Sequence, residues 1–130
     1  MIRKYDPTKD EEKLMQLIRN QGDDWKCYWG EKTSHLYREN LKQSIVYVAE
    51  EEGEIVGYSR SLEDPGFYVY VCDLLVEKSY RGKHLGNKLM QIIYQEFRHH
   101  IVYVMSDVDA YYQTLGYRKE GSIYQVNKPD

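Results

Sequence analysis

Several things that would settle the class of this chain at once are scarce or missing. Only two of its 130 residues are cysteines, Cys27 and Cys72. Neither sits in a Cys-x-x-Cys or metal-ligand spacing, so no disulfide framework or cysteine-bound metal is expected. An excess of basic charge is also missing: 18 Lys and Arg face 21 Asp and Glu, a net charge of −3. That argues against a general nucleic-acid binder, which carries a strongly basic face. No apolar run is long enough to span a bilayer. The opening Met1-Ile2-Arg3-Lys4-Tyr5-Asp6 has no apolar stretch of the signal-peptide kind. The expected setting is therefore the cytoplasm, with no membrane partner. No repeat, linker or low-complexity segment divides the chain, and residues 1–130 read as one domain with a core of its own. Phenylalanine and tryptophan are rare, two of each, whereas tyrosine is abundant at 14. Tyrosine joins an apolar body to a polar tip, which suits half-buried packing and cleft walls.

Hydrophobic periodicity gives the order of elements. Residues 2–5 read as a short strand. A helix follows from Asp6-Pro7-Thr8, with Thr8 and Glu11 in capping-box spacing and Leu14, Leu17 and Ile18 as its apolar stripe. Residues 20–24 form an exit loop, 25–30 an irregular aromatic segment, and 34–41 a second short helix. Residues 44–51 are rich in β-branched side chains and read as a strand. Glu52-Gly53-Glu54 turns the chain into a hairpin partner over 55–61. A second turn at Glu63-Asp64-Pro65-Gly66 leads into a strand over 67–76. Residues 84–97 place Leu85, Leu89, Ile92, Ile93 and Phe97 on one face of a helix. Residues 101–105 are almost continuously apolar, the pattern of a strand buried on both faces. A short helix over 107–115 stops at Gly116, and closing strands are expected over 117–119 and 122–126. The fold class is mixed α/β (α+β), with a partly antiparallel central sheet and about four helices.

The chemistry concentrates in Val76-Glu77-Lys78-Ser79-Tyr80-Arg81-Gly82-Lys83-His84-Leu85-Gly86. An apolar strand stops at a short basic loop, and an amphipathic helix begins at once. The first amides of a helix have no intrahelical acceptor, and the helix dipole adds partial positive charge there. This is a place for a phosphate or pyrophosphate. Arg81 and Lys83 supply charge beside it, and Gly82 and Gly86 leave room for close approach. A Walker loop is excluded by spacing and by Asn87. A dinucleotide-binding fingerprint is excluded by His84 and by the motif's position past the middle of the chain.

Asp73-Leu74-Leu75-Val76 followed by Arg81-Gly82-Lys83-His84-Leu85-Gly86-Asn87-Lys88-Leu89 resembles the acetyl-CoA signature of the GNAT superfamily of N-acetyltransferases, Gln/Arg-x-x-Gly-x-Gly/Ala. Arg81 and Gly86 match its ends, and His84 replaces its first glycine. Farther on, Asp109-Ala110-Tyr111-Tyr112-Gln113-Thr114-Leu115-Gly116-Tyr117 resembles the second segment of that family, in the right order. At position 84 a residue with a Cβ fits if the backbone there is already helical.

The resemblance implies a sheet whose two neighbouring strands splay apart, here residues 67–76 and 101–105, with the coenzyme in the gap. It implies acetyl-CoA as co-substrate and direct transfer of acetyl to a primary amine of a small molecule or peptide. Backbone groups of Leu75 and Val76 would hold the pantetheine arm and thioester. Residues Arg81, Gly82, Lys83, His84, Leu85, Gly86 and Asn87 would cradle the pyrophosphate. Tyr112 would protonate the departing thiolate, a phenol being close in pKa to an alkyl thiol. Asp73 leads as general base, against a structural Asp73 with water carrying the proton, while His35 and Tyr68 are weaker candidates. The acceptor side would lie near Trp25, Tyr28, Trp29 and Glu31, where aromatic and acidic groups suit a cationic amine or simply form a solvated, anchored loop. No metal is implied, and a homodimer is one option. The alternatives to an enzyme are a non-catalytic coenzyme-binding module and a macromolecular partner protein built on the same fold.

Overall fold

The computed structural model describes residues 1–129. Five strands form one sheet in the order β1 (Ile2–Lys4), β2 (Ile45–Glu51), β3 (Glu54–Asp64), β4 (Tyr68–Val76) and β5 (Ile101–Val104). Neighbours are antiparallel except β4 and β5, which are parallel. A parallel pair needs a crossover, and the helix between these two strands supplies it. Among the described residues there are five α-helices: α1 (Pro7–Arg19), α2 (Lys26–Trp29), α3 (Ser34–Gln43), α4 (Leu85–Glu96) and α5 (Asp109–Thr114). This is the mixed, mostly antiparallel architecture that the periodicity predicts.

Local details differ from the sequence expectation. The aromatic segment is helical rather than irregular: a 3-10 turn over Asp23–Trp25 runs into α2. The Trp29 indole N–H donates to the Gly22 carbonyl at 2.9 Å, which closes this piece on itself. Helix α1 is capped by Asp6, whose carboxylate accepts from the Thr8 amide at 3.0 Å, not by a Thr8–Glu11 box. Pro7 takes the first helical position, where its missing N–H costs nothing, so the cap must precede it. One turn on, the fully buried Asp10 carboxylate receives both terminal nitrogens of Arg3 at 2.7 and 2.8 Å and the Asp6 amide at 2.8 Å. That ion pair ties α1 to β1.

The core has two halves, one on each face of the sheet. Leu14, Leu17 and Ile18 of α1 and Tyr37 and Leu41 of α3 pack with Val46, Val48, Tyr58 and Leu75. Leu89, Met90 and Ile93 of α4 pack with Tyr47, Val69 and Val71 on the other side. Strict alternation along β4 would put Val69, Val71, Asp73 and Leu75 on one face. They divide because the pairing of β3 with β4 slips at Cys72: Arg60 opposes Asp73, and Ser61 opposes Val71. One extra residue in a strand reverses the facing of everything after it. Val69 and Val71 therefore face α4, whereas Leu75 joins the α1–α3 half, and Asp73 turns toward α3 with it.

The far edge of the sheet departs most from expectation. Strand β5 is not buried on both faces: Ile101 is 60% exposed, and Val102 to Val104 are half-buried. No strand forms over residues 117–119 or 122–126. Apart from the half-buried Tyr117, those segments are exposed, and β5 is left as an open edge. The apolar run was read as doubly covered, and the second cover is the element the chain does not place there.

Candidate active site

The bulge at Cys72 is where the two parallel strands part. β4 and β5 pair only from Tyr68 with Ile101 to Val71 with Val104, and the Met105 amide reaches the Val71 carbonyl at 3.1 Å as the last bond. Beyond it, Asp73 to Val76 stay bonded to β3 alone, with Leu75 opposite Tyr58 and Val76 opposite Gly57. Their second edge, which includes Leu75 and Val76, has no strand beside it.

This edge runs directly into the basic loop. Glu77 caps a 3-10 turn over Lys78–Tyr80 by accepting from the Ser79 amide at 2.7 Å and from the Ser79 hydroxyl. The Arg81 Nε–H donates to the Val76 carbonyl at 3.0 Å, which places its guanidinium over the end of β4. The Lys83 ammonium sits 4.9 Å from the Tyr80 ring centre. Helix α4 then starts with no side-chain cap. The amides of Leu85, Gly86 and Asn87 are therefore open at a helix start flanked by two cations, which suits a pyrophosphate.

His84 is not helical, contrary to the sequence expectation. It is the residue before the helix, in the left-handed region at φ 63° and ψ 18°, and Gly82 has φ 83°. Glycine holds such a conformation without strain, whereas a side chain costs about 1–2 kcal/mol there. Glycine also loses more chain entropy on folding. His84→Gly should therefore stabilise the fold by about 0.5–1 kcal/mol. His84→Ala, which keeps the Cβ, should bring no gain. Urea unfolding of the two variants checks this, and equal stability would contradict the strain.

Helix α5 lies across the same opening. The Tyr117 hydroxyl donates to Asn87 Oδ1 at 3.1 Å, and the Tyr117 ring stacks on Tyr112 with centres 6.0 Å apart. The Tyr111 hydroxyl occupies the space that a Cβ on Gly86 would need, with Leu74 beside it. Gly86 thus makes room for a tyrosine side chain. Tyr112 is half-buried, and burial first, then Tyr111, Tyr117 and Asp107, push its phenol up to about 12. It stays protonated, as a proton donor must.

Asp73 sits at the centre of a buried polar cluster. Its Oδ2 accepts from Arg60 Nε at 2.6 Å and from the Tyr37 hydroxyl at 2.8 Å, and its Oδ1 accepts from the Tyr28 hydroxyl at 2.8 Å. Tyr58 donates to Tyr37 at 2.6 Å. The Tyr28 and Tyr37 rings stack at 4.3 Å, Trp25 packs on Tyr28 and Tyr58, and the Arg60 guanidinium lies over Tyr37. Burial, with Asp73 adding, raises the Tyr28 and Tyr37 phenols above their ordinary value, so both remain donors.

The structure thus brings Leu75, Val76, Arg81, Gly82, Lys83, His84, Leu85, Gly86 and Asn87 into one continuous run, with Tyr112 on α5 beside it. It gathers Trp25 and Tyr28 around Asp73. Trp29 is turned to Gly22, with Lys26 over its ring, and Glu31 is exposed outside the cluster. Sequence reasoning missed Arg60, Tyr37 and Tyr58. A lone arginine in the middle of a strand, between Ser59 and Ser61, was the available signal for the first. It also missed Tyr111, which adjoins the motif tyrosine. A cleft of about 1080 Å³ opens between β5 and residues 117–123, and Tyr112 lines it. No helix among the described residues is long and apolar enough to cross a membrane, and none of their acidic, His and Cys side chains form a metal-sized cluster.

Residues 14–117 match the model of the acetyltransferase (GNAT) family. The chain belongs to that family. Among curated proteins no sequence matches. Among solved structures, an aminoglycoside acetyltransferase from an uncultured soil metagenomic sample superposes with a TM-score of 0.78 at 23% identity, over 99% of this chain and 98% of that one. Glucosamine-6-phosphate N-acetyltransferase from Arabidopsis thaliana gives 0.69 at 19% identity, over 100% of this chain and 98% of that one. An aminoglycoside N-acetyltransferase in complex with CoA gives 0.74 at 14% identity, over 98% and 93%. At these identities the likeness is one of fold.

Proposed function

We propose that this chain moves the acetyl group of acetyl-CoA directly to a primary amine of a small molecule or peptide. The observation that carries the reading is the uncapped start of α4, flanked by Arg81 and Lys83, at the end of a strand edge that β5 has left open. The helix amides take the pyrophosphate, and the free edge of Leu75 and Val76 takes the pantetheine arm. One amide of that edge faces the thioester oxygen as negative charge develops there. The amine nitrogen forms the new bond to the acetyl carbon while the carbon–sulfur bond breaks. The phenol of Tyr112 gives its proton to the leaving sulfur.

The second proton leaves the amine. Asp73 is the sequence's leading base, yet three donors, one of them a guanidinium, already hold its buried carboxylate in the charged form and leave one lone-pair site, on Oδ1, for a proton. The cluster supports the other role: Asp73 fixes Tyr28, Tyr37 and Arg60 as a wall for the acceptor, and water carries the proton. Trp25 and Tyr28 form the aromatic part of that wall, with the exposed Asp23 and Asp24 outside it. This suits a cationic amine. The free cysteines, one exposed, support a reducing compartment such as the cytoplasm.

The test is release of free CoA across a panel of amines that includes aminoglycosides, amino sugars and peptides with a free N-terminus. Turnover with at least one class is the expected result. Tight coenzyme binding with no release for any amine would instead make the chain a coenzyme-binding module.

A further inference from the structure

Arg60 spends only part of its hydrogen-bonding capacity. Arg3, which also meets a buried aspartate, places Nη1 and Nη2 on Asp10 and Nε on Glu50. Arg60 gives Nε alone to Asp73, at 2.6 Å. Among the described residues nothing accepts from its Nη1 or Nη2. Guanidinium nitrogens are donors only, set in a fixed fork that matches a carboxylate. Leaving them unspent is costly in a side chain only 10% exposed. Yet the fork is not sealed in. The buried polar side-chain atoms without a partner are Tyr5 Oη, Ser59 Oγ, Ser61 Oγ and His100 Nδ1, and neither Arg60 nitrogen is among them. Two contacts fix its direction: Asp73 holds the Nε edge, and the guanidinium lies over the Tyr37 ring, 5.3 Å from its centre.

This fork belongs to the acceptor wall and not to the coenzyme loop. Arg60 stands opposite Asp73, just past the bulge where β5 leaves β4. Both side chains lie with Tyr37 of α3, whereas α4 packs on the other face of the sheet. We infer that the Arg60 fork binds a carboxylate carried by the amine acceptor, which makes that acceptor an amino acid; the inference rests on acetyl transfer to an amine. Charge selects the carboxylate. Asp73 already cancels the charge of Arg60, and Asp23 and Asp24 stand exposed outside the wall. A phosphate would bring about twice the negative charge of a carboxylate into those surroundings. An amino acid brings one carboxylate together with an ammonium for the aromatic side of the wall. A peptide fits less well, because the backbone of its first residue has no carboxylate beside the reacting amine.

Calorimetric titration of the protein, with CoA present, against the common amino acids, each beside its own carboxamide, tests the inference. At least one amino acid should bind about tenfold tighter than its amide, or more. Arg60→Lys keeps a cation beside Asp73 but loses the fork. It should bring acid and amide to equal affinity while CoA binding stays at the wild-type value. Should Arg60→Lys fail to fold, Arg60→Met with Asp73→Leu gives the same comparison. Equal affinity of acid and amide in the wild type, or no binding of any amino acid, would overturn the carboxylate site. So would a preference for the acid that survives in these variants. Release of free CoA from acetyl-CoA separates the two claims. An acid that binds through Arg60 and is never acetylated keeps the site and removes the transfer. Amines acetylated with no preference for a carboxylate keep the transfer and remove the site.

Discussion

Asp73→Ala should cost this fold about 3–5 kcal/mol, the largest single-residue loss expected outside the apolar core. The reason is what the substitution leaves behind. Arg60 keeps its guanidinium with a side chain only 10% exposed, now without a counter-charge 2.6 Å away. Tyr28 and Tyr37 lose their acceptor in the same step. Truncating one member of a buried pair is far more costly than replacing both. The double variant Asp73→Leu with Arg60→Met should therefore regain most of the stability while abolishing the cluster. Urea unfolding of the three proteins gives the comparison. A single variant within about 1 kcal/mol of wild type would mean that water reaches the pair freely. Asp73→Asn separates the two roles argued for the carboxylate. If Asp73 only positions its neighbours, turnover falls without a change in the shape of the pH profile. If it is the base, the acidic limb of the profile disappears.

Tyr112→Phe should lower kcat by about 100- to 10,000-fold, the range for loss of a general acid. The affinity for acetyl-CoA should stay put, because the proposed grip on the coenzyme comes from the α4 amides and not from the phenol. The phenol is already pushed up to about 12 by burial. Its proton is therefore present across the working range, and no loss of rate should trace to Tyr112 until strongly alkaline pH. Tyr111→Phe is the necessary companion. Its hydroxyl lies against Gly86 at the opening of α4, so its removal should act on coenzyme affinity and spare kcat. If Tyr111→Phe carries the loss in kcat and Tyr112→Phe does not, the proton comes from the neighbouring residue.

The motif loop was legible because two periods meet there: a strand repeat ends at Val76, a helix repeat starts at Leu85, and only cations and glycines lie near the junction. The α1 and α4 stripes were legible for the same reason, and they match the two halves of the core. The facing of Asp73 was not. A bulge is one unmarked residue, here Cys72, and alternation read from sequence puts everything after it on the wrong face. The Asp73 cluster escaped because its members come from α2, α3, β3 and β4 and meet only when the sheet is built. His84 looked acceptable as helix, since nothing in its neighbours announces a positive φ. The closing strands rest on β-branched and aromatic residues alone, and composition supplies no edge for such a segment to pair with; no strand forms there.

The claim on which the rest stands is that open amides at the start of α4 hold a pyrophosphate. Calorimetric titration of the protein with CoA, and separately with pantetheine, which lacks the diphosphate, tests it most directly. The account predicts saturable binding of CoA that weakens as salt is raised, and at least tenfold weaker binding of pantetheine, about 1.4 kcal/mol. Equal affinity for the two, or no heat with CoA, would contradict it.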